Sequence, residues 1–229
     1  TGRTNTLGVL APHVNRWFFS AAIEGINQEL QDRGYNLSLF NVGGHAGKRG
    51  RPFSRAMIHQ DIDALLVVCA ALTQEEIEHL HRVDIPHIIL GDPVPGCPRV
   101  GIDDYAAAAQ ATRHLISIGH KDIALLHGED DPDVNREEPR ARTLGFEDSM
   151  AKAGLHVRKD WDRFGTFTVR SGQRALASLW EQPDPKPTAS FWASDAMDHG
   201  AIVAPGRLGF HWPEDLSIAA IATLAPPSS

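Results

Sequence analysis

The side chains best suited to chemistry in this chain follow short apolar segments. Three consecutive aromatics, Trp17, Phe18 and Phe19, come soon after the apolar run Leu7–Ala11, with Asn15 just before them. Flat aromatic side chains cover the apolar C–H faces of sugar rings at low entropic cost. Three adjacent aromatics at the start of a helix cannot all face one core, so at least one is expected to face solvent or a ligand. The alternative is that Phe18 and Phe19 anchor the helix to a sheet.

Two charged residues occupy positions suited to binding hydroxyl groups. Asp92 follows the apolar run Ile88–Leu90, and its carboxylate could accept two hydroxyl hydrogen bonds. The fixed fork of donors on Arg142 could bind ring and hydroxyl oxygens in two places. A turn-capping role before Pro93 remains the alternative for Asp92, and a salt bridge to Glu138 or to the acidic loop remains the alternative for Arg142.

Other residue types that could carry chemistry lack suitable spacing. His79 and His81 are two apart on a predicted helix, so they point to different faces and chelate poorly. Cys69 and Cys97 lack metal-ligand spacing and are expected to be free thiols in a reducing compartment. The chain contains no phosphate-binding glycine loop and no nucleophile elbow. We therefore expect no metal, no cofactor and no enzymatic activity.

The elements that must position these residues alternate between strand and helix. Residues 102–128 show the pattern most clearly: Asp103 or Asp104 caps a helix with an apolar stripe, Gly119 ends it, and the strand Ile123–Leu126 follows. A continuous apolar strand is typical of a parallel sheet covered on both faces. The alternation restarts near Asp104, which predicts two doubly wound parallel-sheet lobes of the α/β class.

Several segments resemble the lactose-repressor/galactose-repressor (LacI/GalR) family of transcription regulators. The resembling segments are the cap, helix and strand just described (102–128) and the aromatic turn (15–19). They also include an "Arg-x-x-Gly-aromatic" helix start (142–146), an "Ala-Ser-Asp" motif (193–195) and a "Pro-Glu-Asp-Leu-Ser" motif (213–217). The resemblance implies a periplasmic-binding-protein-like fold. Its lobes would be residues 4–101 and 102–222, followed by a crossover remnant at 223–229.

The resemblance also implies a role for individual residues. The family's small-molecule effector binds in the cleft between the lobes, next to the strand ends that precede Asn15–Phe19 and Asp92. Ser194 stands where the family often has Asn, and Asp195 is expected to cap a helix rather than to bind ligand. Trp192 either stacks on the ligand or packs behind its strand. The implied ligand-binding set is Asn15, Trp17, Phe18, Phe19, Asp92, Arg142, Trp192 and Ser194.

The resemblance weakens after Ile218. The expected "Gly-Phe-Asp-Asp" continuation is replaced by Ala220–Leu224, and Pro205-Gly206 interrupts the helix predicted to begin at Asp195. The C-terminal part is therefore expected to be incomplete. The family's DNA-binding domain and hinge are expected to precede Thr1. The chain would thus be the effector-binding, homodimerising core of a cytoplasmic regulator that senses a small sugar-like metabolite and contacts operator DNA through that absent domain.

Composition limits the alternatives. The 229 residues carry a net charge of −7, which disfavours direct phosphate contact. No apolar run is long enough to span a membrane, and the polar N-terminus lacks a signal-peptide core. A periplasmic sugar-binding protein of a transport system shares the fold and remains the first alternative. An enzyme on a flavodoxin-like fold is the second, although no nucleophile–base pattern supports it.

Overall fold

The computed structural model describes residues 3–43, 62–128, 133–134, 137–194, 197–200, 211 and 213–221. The chain divides into two compact units by its contacts. Unit one comprises Thr1–Ile102 with Asp131–Glu137, and unit two comprises Asp103–Asp130 with Glu138–Ser229.

Unit one contains a five-stranded parallel sheet whose strand order is β2-β1-β3-β4-β5. Because the interior strand β1 pairs with both β2 and β3, Val9 lies opposite Leu39 on one side and Leu66 on the other. The elements are β1 (Thr6–Ala11), α1 (Trp17–Asp32), β2 (Asn36–Asn41), β3 (Ala64–Val68), α2 (Gln74–Arg82), β4 (His87–Leu90) and β5 (Arg99–Val100).

Both faces of this sheet are buried, as the apolar strands predict. Successive side chains of a strand point to opposite faces, so Val9 and Leu10 of β1 belong to two different cores. Val9 packs with Phe19 of α1, whereas Leu10 packs with Leu80 of α2. The strand ends that carry the candidate residues are therefore held by a sheet that is covered on both sides.

Unit two contains a four-stranded parallel sheet whose strand order is β7-β6-β8-β9. A short 3-10 helix, Lys159–Trp161, precedes β7. The other elements are α3 (Asp104–Ser117), β6 (Ile123–Gly128), α4 (Glu137–Lys152), β7 (Asp162–Gly165), α5 (Val169–Trp180), β8 (Ala189–Trp192) and β9 (Ser217–Ala220).

This sheet is also covered on both faces. Leu125 of β6 lies in the same core as Leu115 of α3 and Phe146 of α4. Its neighbour Leu126 lies in the other core, with Leu176 of α5. The predicted α/β class with two parallel-sheet lobes is confirmed.

The helix boundaries follow the predicted capping signals. The carboxylate of Asp103 accepts a hydrogen bond from the Ala106 N–H at 2.9 Å, so Asp103 is the cap and Asp104 is the first helical residue. Gly119 follows α3 with φ of 105°, a conformation that favours glycine. Thr73 and Glu76, whose Thr-x-x-Glu spacing predicts a capping box, form one at the start of α2.

Two details differ from the sequence-based expectation. Strand β7 was not predicted, because the short, mostly polar run Asp162–Gly165 lies at the edge of its sheet and lacks a two-sided apolar signal. The segment Asp131–Glu137, predicted in the second lobe, belongs to unit one by its contacts. There Val134 forms an antiparallel bridge with Ala70, and the Ala71 N–H donates to the Asp133 carbonyl oxygen at 3.1 Å.

Some expectations concern residues outside the described ranges. These are the cap at Asp195, the break at Pro205-Gly206, the crossover remnant at 223–229 and a helix that the sequence predicts between the Gly43-Gly44 turn and about Gln60. Among the described residues, none of the helices has the length and apolar character needed to cross a membrane.

Candidate functional site

The aromatic run at the start of α1 divides between the core and the surface. Phe19 is 4% exposed and packs against Val9 and Val68, so it anchors the helix to the sheet. Trp17 and Phe18 are 43% and 46% exposed. The Phe18 ring stands edge-on to Phe19, with centroids 5.4 Å apart, and this contact holds it at the surface. The expected ligand role therefore suits Trp17 and Phe18, and Phe19 is reassigned to the core.

The carboxyl edge of the sheet in unit one also carries polar candidates. Asn15 lies exposed in the turn before α1, whose N-cap residue Arg16 makes no side-chain cap bond. Asp92 is half-buried directly after β4. It follows Gly91, whose N–H donates to the Val100 carbonyl oxygen at 3.0 Å and whose φ is 114°. Ligands of open α/β sheets bind beyond this edge, so both residues keep a position suited to the expected role.

In unit two, Arg142 lies at the junction of three elements. Its Nε and Nη2 atoms each lie 2.8 Å from Oδ1 of Asp104, the first residue of α3, and its Nη1 donates to the Ala193 carbonyl oxygen beyond β8. The two side chains are only 8% and 15% exposed. Arg142 thus forms a salt bridge with Asp104, a partner that the sequence did not indicate. The pair fixes the guanidinium at the carboxyl edge of its sheet.

The other two candidates of unit two differ in accessibility. Trp192 is fully buried in a core with Leu126 and Leu176, and its indole N–H donates to Ser190 Oγ at 2.7 Å. The open choice for Trp192 is therefore decided in favour of packing, because β8 is covered on both faces. Ser194 follows Ala193 and is half-buried.

An aromatic residue at the carboxyl edge of this sheet was not predicted from the sequence. Phe167 follows β7 with a positive φ of 55°, which is unusual for a bulky side chain. Its ring occupies the space above Gly128 at the end of β6, where a Cβ would come within 1.9 Å of the ring. Strained residues of this kind concentrate at ligand-binding sites. In the sequence, Phe167 is marked only as an aromatic residue between Thr166 and Thr168. Its position at the sheet edge could not be inferred because strand β7 was not predicted.

A polar cluster beside β7 was also missed. His127 Nε2 lies 2.6 Å from Asp162 Oδ1, and His127 Nδ1 lies 3.4 Å from Thr143 Oγ1 on α4. The His127 ring packs on Phe164 with centroids 4.0 Å apart. These residues link β6, β7 and the helix that carries Arg142. The pairing depends on strand register, which the sequence does not reveal.

Two α/β units, each built on its own parallel sheet, define a protein of the periplasmic-binding-protein class. The chain belongs to the family described as periplasmic binding proteins and sugar binding domain of LacI family, whose profile matches residues 4–225. This match confirms the resemblance that the sequence motifs indicated.

Individual relatives agree with this family. The HTH-type transcriptional repressor PurR of Vibrio campbellii is 31% identical over 218 residues, which cover 94% of this chain and 64% of that protein. A LacI-type putative transcriptional regulator from Bacillus cereus superposes with a TM-score of 0.82 at 26% identity, covering 98% of this chain and 79% of that one. The CelR–cellobiose complex superposes with a TM-score of 0.73 at 26% identity, covering 94% of this chain and 67% of that one.

These relatives distinguish between the classes that the sequence left open. The similar curated proteins are named as transcriptional repressors, which favours a regulator over a periplasmic transport protein and over an enzyme. This chain spans about 64% of the length of these relatives.

Proposed function

We propose that this chain is the effector-binding core of a transcriptional regulator, and that the carboxyl edges of its two sheets supply the effector-binding residues. The observation that carries the proposal is the exposure of Trp17 and Phe18 at such an edge, in a chain matched to this family over residues 4–225. Rings at a binding edge favour a flat or ring-shaped metabolite. The relative bound to cellobiose supports a sugar-like ligand.

Each edge contributes a different chemistry. Unit one supplies the rings of Trp17 and Phe18 and the polar groups of Asn15 and Asp92. Unit two supplies Arg142, with Ser194 beside it. A guanidinium held by a buried carboxylate is positioned before the ligand arrives, which lowers the ordering cost of binding.

The regulatory step follows from differential binding. An effector that binds one conformational state of the protein more tightly shifts the population toward that state, with coupling of typically about 1–3 kcal/mol. Operator DNA would be contacted by a domain outside these residues, since a chain with a net charge of −7 is a poor phosphate binder. We place the regulator in the cytoplasm, where its operator lies.

A thermal-shift screen tests the effector proposal. The protein is heated with a panel of mono- and disaccharides and with flat heterocycles, since exposed rings stack on both classes of ligand. A ligand present at about 100 times its Kd stabilises the folded state by about 2.7 kcal/mol, which is a readily measured shift in Tm. We expect at least one sugar-like compound to raise Tm.

Variants then locate the binding residues. Each variant is compared with its own unliganded Tm, so that lost stability is separated from lost binding. Trp17→Ala, Asp92→Asn and Arg142→Lys should each reduce the ligand-induced shift, because they remove a ring, a charge and a bidentate fork. Ile118→Ala, an exposed apolar change at the end of α3, serves as the control. The proposal fails if Trp17→Ala and Arg142→Lys respond to the ligand as the control does.

A further inference from the structure

A thiol and two imidazoles converge in unit one, away from the carboxyl edge. Cys97 Sγ lies 3.4 Å from His87 Nε2 and 3.6 Å from His81 Nε2. His87 is the first residue of β4, and His81 lies in the last turn of α2. Cys97 comes from the loop that joins β4 to β5. The three residues come from three consecutive elements, α2, β4 and the loop after β4, which fold back to bring their side chains together.

A tight turn holds the thiol in this position. The Cys97 N–H donates to the Val94 carbonyl oxygen at 3.1 Å, and the two residues between them are Pro95 and Gly96. Proline followed by a glycine with φ of 78° is the signature of a type II turn. A Cβ at Gly96 would lie 3.3 Å from His81 Nε2, so the turn packs directly against that imidazole.

Hydrogen bonds to backbone carbonyl oxygens indicate which imidazole nitrogens in the cluster carry a proton. His87 Nδ1 lies 3.0 Å from the Ile85 carbonyl oxygen, which only accepts, so Nδ1 carries a proton and neutral His87 presents the Nε2 lone pair to the thiol. His81 Nε2 lies 3.0 Å from the Pro95 carbonyl oxygen and is therefore an N–H donor. The Cys97 sulfur thus has a proton acceptor, His87 Nε2, on one side and, on the other, the His81 N–H, which it would share with the Pro95 carbonyl oxygen.

The environment of the Cys97 thiol determines what a reaction at its sulfur requires. Burial raises the pKa of the Cys97 thiol, so the protonated form dominates near neutral pH and a base must take the proton during a reaction. Cys97 is half-buried, whereas Cys69 is buried in a core.

We propose that Cys97 is a site of reversible mixed-disulfide formation with small disulfides, with His87 as its general base. His87 Nε2 takes the thiol proton as the Cys97 sulfur attacks one sulfur atom of the disulfide. The S–S bond of the reagent breaks as the new S–S bond forms. The departing thiolate takes the proton back from His87 and leaves as a thiol. This site is independent of the proposed effector-binding edges, so the failure of one proposal leaves the other standing.

The test uses 2-hydroxyethyl disulfide, a neutral probe, on the full chain. Intact-mass and peptide mass spectrometry follow the rate of addition in native protein and in urea-unfolded protein, which gives the intrinsic rate of each cysteine. We expect one adduct per native chain, at Cys97, which added dithiothreitol removes. Cys97→Ser should abolish the adduct, and Cys69→Ser should leave it unchanged.

Imidazole variants test the mechanism. General-base catalysis is typically worth at least about 100-fold, so His87→Gln should slow native labelling of Cys97 by tenfold or more while its rate in urea stays the same. His81→Gln should have a smaller effect in the same direction, and His114→Gln, an exposed change in unit two, should have none. The proposal is overturned if His87→Gln, shown to be folded by its Tm, labels at the wild-type rate. It is also overturned if Cys69 labels first in the native protein.

Discussion

At the scale of single residues, the candidate site depends on how the positive charge of Arg142 is compensated. Both partners of the Arg142–Asp104 pair are largely withdrawn from water, and a charge withdrawn in this way requires a partner. The distinction between Asp103 as the helix cap and Asp104 as the counter-ion explains why two adjacent aspartates begin α3. One satisfies the helix N–H groups, and the other holds the guanidinium.

Removing this counter-ion should be costly. Asp104→Ala removes the carboxylate that contacts two nitrogens of the buried Arg142 guanidinium, and we expect the free energy of unfolding to fall by about 3 kcal/mol or more. Urea unfolding of the purified chain measures the change. Replacing both partners, as Asp104→Leu with Arg142→Met, should recover part of the loss because the buried positive charge is removed as well.

The exposed ion pair between Glu29 and Arg33 on α1 provides the matched control. Both of its side chains are mostly exposed to solvent, so Arg33→Ala should cost less than about 1 kcal/mol. Equal losses for Asp104→Ala and Arg33→Ala would contradict the view that burial gives the Arg142 pair its importance.

At the scale of elements, the sequence predicted what local signals determine. The capping box of α2, the glycine stop after α3 and the buried strand at Ile123 were all readable, because each depends on neighbouring residues. The edge strand β7 could not be predicted from the sequence, because its pairing with β6 supplies the stability that its composition lacks. Which aromatic of the Trp17–Phe19 run faces the core, and which carboxylate meets Arg142, depend on contacts between distant segments.

Alanine substitutions at two glycines test how backbone conformation affects stability where no packing clash arises. A Cβ added at Gly119 or at Gly25 would have no heavy atom within 4 Å, so neither substitution creates a clash. Gly119 follows α3 with φ of 105°, so Gly119→Ala should destabilise the protein by about 1 kcal/mol. Gly25 lies inside α1, so Gly25→Ala should stabilise it by about 0.5–1 kcal/mol. Urea unfolding measures both changes, and shifts of the same sign would refute the argument.

At the scale of the whole molecule, unit one presents an apolar groove between α1 and β2. This α1–β2 groove has a volume of about 320 Å³ and is lined by Val14, Ser20, Ile23, Glu24, Asn27, Leu37 and Leu39. β2 forms one edge of its sheet, and Leu39 on it is 42% exposed. An apolar edge strand is prone to uncontrolled association unless it is covered. In the homodimer that the family resemblance implies, a second copy of this chain would cover it.

A charge placed in the α1–β2 groove should therefore separate the copies. In a two-fold interface each substitution occurs twice, so Leu39→Glu adds two carboxylates to one apolar contact. We expect the dimer Kd, measured by sedimentation velocity across a concentration series, to rise at least tenfold, which corresponds to about 1.4 kcal/mol. Ile118→Glu adds the same charge at an exposed apolar position of unit two and should leave the Kd unchanged. A wild-type chain that stays monomeric at every concentration, or a Leu39→Glu variant that dimerises like wild type, would exclude the groove as the contact between copies.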